Sequence, residues 1–181
     1  MNEGGAWLVV IKVDALKFYS VTLLKTLLFT ILAPGTITVQ VPYLLLPPGS
    51  RHFHGELGNG LGLVVLVFGA TIYFWCAWEF TFTGQGTPAP YDPPTVMVTR
   101  GLYRLVRNPM YVGVTFVLLG EAQLFASSTL LVYALVVWLG FHLRVILYEE
   151  PVLRKQFSDS YLDYCREVPR WIPRWPQRDN T

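Results

Sequence analysis

Charge is scarce in this chain. Asp, Glu, Lys and Arg make up 14% of its 181 residues, against about 25% in soluble domains. Hydrophobic residues reach 52% and the mean hydropathy is +0.40. A lipid bilayer is the medium that such a composition suits. The net charge is only +2 and there is no basic run, which leaves no case for nucleic acid as a partner. Cysteine is nearly absent. Cys76 lies in an apolar segment and Cys165 in the polar tail, so there is neither a disulfide framework nor a metal-ligand spacing. His52 and His54 form an H-x-H pair with no further ligand nearby, and a solvated loop is the plain reading. A clean signal peptide is missing too. "AWLVVI" is too short for its apolar core and no small-residue cleavage site follows, so the whole chain is expected to be retained.

What is present is four apolar segments: about Thr26–Leu46, Leu61–Trp78, Pro109–Phe125 and Thr129–Tyr148. Each is near the roughly 20 residues that cross a hydrocarbon core, although the third is short. Backbone groups in lipid must be paired within the chain, so helices are expected. The fold class is therefore all-α, an integral membrane bundle of about four transmembrane helices. Pro34-Gly35 should kink or break the first helix. Ser127-Ser128 leaves only a tight turn, which predicts a C-terminal helical hairpin. Lys12, Lys17 and Lys25, then Arg100, Arg104 and Arg107, then the tail from Arg154 to Arg178 all fall on one side of four such spans. The positive-inside rule makes that side cytoplasmic, with both termini on it. A long Gly/Pro-rich loop, "TGQGTPAPYDPP", precedes the third span on that side. The tail alternates Arg170, Trp171, Arg174 and Trp175, a composition suited to lipid headgroups or to a disordered basic end. The chain reads as one domain, 1–181, with residues 1–80 forming the N-terminal spans and 81–181 the remainder.

Two stretches can carry chemistry. In "LYEEPVLRK", Glu149 and Glu150 close the fourth apolar segment, with Trp138 and His142 on the Glu149 stripe and Arg144 pointing elsewhere. Acids at a helix C-terminus oppose the helix dipole and ask for a cationic partner. In "GLYRLVRNPMYVG", Asn108 is a good N-cap and Pro109 suits the first helical position. The free amides of that helix start attract a carboxylate or phosphate. Gly101 and Gly113 permit close backbone approach, and Tyr103 and Tyr111 offer ring faces. Together the stretches suit a ligand with both a carboxylate and positive charge. S-adenosylmethionine is such a ligand, although the residues alone do not single it out.

"MVTRGLYRLVRNPMYVG", followed across a hairpin by "EEPVLRKQFSDSYLDYCREVPRWIP", resembles the isoprenylcysteine carboxyl methyltransferases and their phospholipid methyltransferase relatives. The likeness covers about the C-terminal half, and "GQGTPAPYDPP" resembles bacterial members. The resemblance implies S-adenosyl-L-methionine as cofactor, a lipophilic membrane-embedded acceptor as substrate, and location in a bacterial inner membrane. It implies a cofactor pocket closed by the cytoplasmic loop and tail, in residues 81–181. Thr95, Val96, Met97 and Val98 would line the adenosine and Tyr103 would pack on it. Asn108, Pro109, Met110 and Tyr111 would hold the methionine part. Glu149 and Glu150 would face the cationic part, with Gln85 a weaker candidate.

The family's eukaryotic members have His at Asn108 and an arginine one turn before the first Glu. Here that position is Val145 and Arg144 is its neighbour. The arginine just before V-P is Glu167 here, with Arg166 adjacent. The expected catalytic residues are Arg107 or Arg144, to place a carboxylate nucleophile, and Glu150 as base for an amine or hydroxyl. The alternatives are a sterol-reductase-like enzyme using NADPH and a non-catalytic lipid-binding helical protein.

Overall fold

A computed structural model describes residues 3–50, 57–83 and 96–173, and among these, six α-helices arise in chain order from the apolar segments and their flanks. They are α1 (Glu3–Leu32), α2 (Val41–Leu45), α3 (Leu57–Phe82), α4 (Pro109–Leu124), α5 (Ser128–Arg144) and α6 (Glu150–Glu167). Among the described residues there is no strand. Three stretches among the described residues are long and apolar enough to cross a membrane: Tyr19–Leu45, Gly60–Phe82 and Ser128–Glu167. Helix α4, with 16 residues, reaches only about 24 Å at 1.5 Å per residue, so it is shorter than the other spans. The outer faces suit lipid: Leu32, Leu44, Val64 and Val136 are each more than half exposed.

The first helix is interrupted beside Pro34-Gly35, as expected, but the chain stays in one span, Tyr19–Leu45. Beyond a single turn residue, Ala33, the chain runs through a five-residue π turn, Thr36–Gln40, directly into α2. Side chains meet the carbonyls that this irregularity disturbs. Thr36 Oγ1 donates to Leu32 O at 2.6 Å and Thr38 Oγ1 to Pro34 O at 2.8 Å. In the π register the donor to Ile37 O would be residue 42, a proline without an N–H. Tyr133 of α5 fills that place, its hydroxyl donating to Ile37 O at 2.9 Å.

The bundle is built on α3 and α4. Glycines at Gly62 and Gly69 of α3 meet Gly120 and Gly113 of α4, so the two backbones pack against each other. Around this pair lie Tyr73, Ala77, Val114, Leu118 and Ala134, all buried. Helix α1 joins through polar contacts, Thr30 Oγ1 to Tyr73 Oη at 2.9 Å and Thr26 Oγ1 to Thr81 Oγ1 at 3.2 Å. The predicted hairpin is present. Ala126 turns the chain at φ 46°, and Ser127 caps α5 by accepting from Leu130 N at 3.3 Å.

One expectation is corrected here. Glu149 and Glu150 do not stand at a helix C-terminus. The helix continues past Pro151 as α6 to Glu167, with an abrupt change of direction at Ser158 (φ 47°, ψ −122°). Proline lacks the donor and crowds the carbonyl four residues back. A second π turn, Val145–Glu149, loosens the winding just before it and lets the helix pass.

Candidate functional site

The site gathers at the end of the bundle where α4 begins. A short 3₁₀ turn, Gly101–Arg104, leads into it. Gly101 has φ +56°, and a Cβ there would lie 3.2 Å from both Glu79 Oε1 and Trp75 Nε1, so this corner requires glycine. Tyr103 is buried between Cys76 and Phe80, and its carbonyl accepts from Tyr164 Oη at 2.6 Å. Burial pushes the Tyr103 hydroxyl well above its ordinary range. Asn108 and Pro109 take the predicted positions at the helix start, but the Asn108 side chain makes no cap hydrogen bond. Its Nδ2 donates instead to Arg170 O at 3.3 Å, while Arg107 N donates to Pro169 O at 2.9 Å. The tail is thereby fixed across the start of α4.

Glu150 is held between two arginines. Arg170 donates to both of its oxygens, Nε to Oε1 at 2.7 Å and Nη2 to Oε2 at 3.0 Å, and Arg107 Nη1 adds a bond to Oε1 at 3.1 Å. The Glu150 side chain is 7% exposed, Arg107 13% and Arg170 31%. A carboxylate this deep needs such partners to remain charged. The hydrogen bond to Glu150 raises the Arg170 guanidinium further, against the cost of burial. Arg107 Nη1 also meets Cys165 Sγ at 2.8 Å. Its Nε is buried and has no hydrogen-bond partner among the described residues. Two arginines against one carboxylate leave this cluster with an excess positive charge and an unmet donor.

Glu149 has a separate set. Its Oε1 accepts from Tyr111 Oη and, at 2.8 Å, from Arg144 Nε, which also reaches Tyr111 Oη at 3.1 Å. In an α-helix, residues five apart are roughly 140° apart around the axis. The π turn removes that angle, so Arg144 meets Glu149 instead of pointing elsewhere. The one-residue displacement of this arginine from the family position at Val145 is absorbed by the extra residue of the turn. Tyr111 stacks on Phe141, with ring centroids 4.5 Å apart. Trp138 stacks on His142 as the stripe predicts, and Trp171 Nε1 donates to His142 Nδ1 at 3.0 Å.

The residues expected at the adenosine divide. Val96 and Met97, with Phe82, Thr83, Thr99 and Arg100, line a cleft of about 470 Å³, within the roughly 300–1,000 Å³ of small-molecule sites. Val98 instead packs into the core with Cys76 and Tyr103. Thr95, Gln85, His52, His54, Arg174 and Trp175 lie outside the described residues. Pro109 is fully buried and Met110 packs on the core.

Arg170 and Trp171 are the members that sequence reading sent to the headgroups. The arginine looked for near V-P does not take this place, since Arg166 pairs with Asp163 on the surface at 2.9 Å. A usable signal was Val168-Pro169, which stops α6 and returns the chain toward the two acids.

Comparison with known proteins agrees with this part of the chain. The model of the phospholipid methyltransferase family matches residues 58–160, more than half of the 181. A protein-S-isoprenylcysteine O-methyltransferase from Schizosaccharomyces pombe is 42% identical over 83 residues, 45% of this chain. Protein-S-isoprenylcysteine O-methyltransferase B from Arabidopsis thaliana is 35% identical over 78 residues, 42% of this chain. The Mus musculus protein-S-isoprenylcysteine O-methyltransferase is 33% identical over 120 residues, 64% of this chain. The chain covers 34%, 39% and 41% of these three relatives' own lengths.

Proposed function

The chain belongs to the phospholipid methyltransferase family, and we propose that it transfers a methyl group from S-adenosyl-L-methionine to a lipophilic acceptor held in the bilayer. The observation that carries this reading is the buried Arg107–Glu150–Arg170 cluster beside the start of α4. The residues present suit the donor. The unpartnered Arg107 Nε is a hydrogen-bond donor for its carboxylate. The cleft at Val96 and Met97 offers apolar surface for its purine, with Asn108 and Tyr111 beside the methionine part. Bound there, S-adenosylmethionine supplies an electrophilic methyl group on a sulfonium.

The chain's own groups then do three things. Arg107 orients a carboxylate. Arg144, 45% exposed and hydrogen-bonded to Glu149 and Tyr111, holds an acceptor anion at the lipid boundary. The bundle excludes water from the line of transfer, so orientation and desolvation supply the acceleration. Both Glu150 oxygens accept from arginine N–H groups, which assigns it to holding those arginines. A carboxylate acceptor, which needs no base, fits this arrangement best. The acceptor enters from the bilayer and the donor from the cytoplasm, with both termini on the cytoplasmic side.

The test uses purified protein in lipid nanodiscs with methyl-labelled S-adenosylmethionine. Labelled ester on a prenylated or fatty carboxylate is the expected product. Failure of the folded protein to bind the donor at millimolar concentration, read by calorimetry, rejects the reading.

A further inference from the structure

We infer that Arg170 is a positioning residue: by taking both oxygens of Glu150 it keeps Arg107 from being consumed as that acid's partner, and so leaves Arg107 able to receive an anionic group. The inference rests on the methyl-transfer reading for the identity of that group. It rests on geometry for the rest.

Glu150 accepts two N–H groups from Arg170 and one from Arg107. An arginine facing a carboxylate alone closes into a two-bond fork. Here Arg170 occupies the fork and Arg107 is confined to a single bond through Nη1, shared with Cys165 Sγ. Its Nε therefore stays buried and unpartnered. A buried donor without a partner is costly, and among the described residues Arg107 Nε shares that condition only with Glu121 Oε2, an acceptor on α4.

Arg170 is held in place by its own backbone. Its carbonyl accepts from Asn108 Nδ2, and the carbonyl before it, that of Pro169, accepts from Arg107 N. The next residue, Trp171, is tied to His142 through its indole N–H. Residues 169–171 thus touch Arg107, Asn108, His142 and Glu150 at once. The side chain that sets the charge balance and the backbone that positions the start of α4 come from one short strap.

The experiment compares wild type with Arg170→Gln, Arg170→Lys, Glu150→Gln and the double variant Glu150→Gln/Arg170→Gln. Donor affinity is read by calorimetry, and folding by thermal unfolding in the same detergent. Arg170→Gln should weaken donor binding at least tenfold while the protein still unfolds cooperatively. Arg170→Lys should recover part of that loss. If Arg170 acts through Glu150, the double variant should bind no more weakly than Glu150→Gln alone. Unchanged affinity in Arg170→Gln, or losses that multiply in the double variant, overturns the inference and leaves the methyl-transfer reading standing.

If folded wild type binds no donor, that reading fails and backbone amide exchange decides the inference. Arg170→Gln should then speed exchange at the Arg107 amide, which donates to Pro169 O, and at the Val168 amide, which donates to Tyr164 O. Wild-type exchange rates in that variant overturn the inference. Should Arg170→Gln not fold, Trp171→Phe removes the indole bond to His142 and keeps an aromatic ring beside Trp138 and His142. It should speed exchange at the same two amides, and unchanged rates count against the inference.

Discussion

Gly69 and Gly113 face each other backbone to backbone: a Cβ built on Gly113 would lie 2.8 Å from Gly69 O, and one on Gly69 would lie 2.6 Å from Gly113 O. Gly62 and Gly120 repeat the contact one heptad away, with clashes of 2.5–2.8 Å. The nearest neighbour at each of the four is a main-chain atom, which cannot swing aside. Gly113→Val should therefore lower stability by about 1–3 kcal/mol or more. Gly60→Ala, where a Cβ meets nothing within 4 Å, is the control. Thermal unfolding in one detergent reads both.

Tyr133→Phe tests the join between α5 and the π turn after Pro34. It removes the one hydroxyl that reaches Ile37 O, whose helical donor is missing at Pro42. An unsatisfied carbonyl of this kind costs about 1–3 kcal/mol. The loss should appear as a lower denaturation midpoint with donor binding intact.

Glu150→Gln and Asp163→Asn each remove one negative charge, with opposite expectations. The first leaves Arg107 and Arg170 without a charged partner in a buried place. It should lower stability by at least about 1.5–3 kcal/mol and abolish most turnover. The second loosens a pair that is 78% and 66% exposed, and should stay within about 0.5 kcal/mol of wild type. Equal effects would mean that the Glu150 cluster is not buried as described.

Arg144→Ala should separate the two substrates. Losing a charge-assisted contact of about 1.5–3 kcal/mol corresponds to roughly 10–100-fold in transfer rate. Donor affinity should change by less than the transfer rate, since Arg144 is 45% exposed and makes no bond to Arg107, the proposed partner of the donor carboxylate. Steady-state kinetics with calorimetry on the same sample distinguishes the two effects.

Reporter fusions after Thr181 should be active only in the cytoplasm. This is the outcome that the positive-inside rule expects from the Lys and Arg residues of the N-terminal arm, of the segment before α4 and of the tail. Activity only on the outer side reverses the topology.

The sequence carried much of this arrangement because the relevant signals are local. Asn108-Pro109 announces the start of α4, Ser127-Ser128 the hairpin, and the spacing of Trp138 and His142 their stacking. The approach of Arg107 and Tyr111 to Glu149 and Glu150 at one end of the bundle was also legible, from the order of the spans. Three features were not. Pro151 reads as a helix stop, and only a change in winding over Val145–Glu149 lets the chain continue. Arg144 and Glu149 are out of phase in any reading that assumes 3.6 residues per turn. Arg170 lies 20 residues beyond Glu150, past a reversal at Ser158 that no periodicity crosses. The composition of its tail pointed to lipid headgroups, while its backbone hydrogen bonds to Arg107 and Asn108 hold it on the protein.

The π turn at Val145–Glu149 also bears on how this chain tolerates change in length. Counted along the helix, it is one residue more than an α-helix would use between Arg144 and Glu149. Deleting one residue within it, Ile146 for example, would let the stretch wind as a regular α-helix, with Arg144 and Glu149 then four apart and still on one face. The same deletion in regular helix, at Leu139 for example, would instead turn all that follows by about 100° and carry Glu149 and Glu150 away from Tyr111, Arg107 and Arg170 together. A one-residue gap is thus better tolerated inside the π turn than in the regular helix before it, and the number of residues between α4 and the acids is as much a part of the site as their identity.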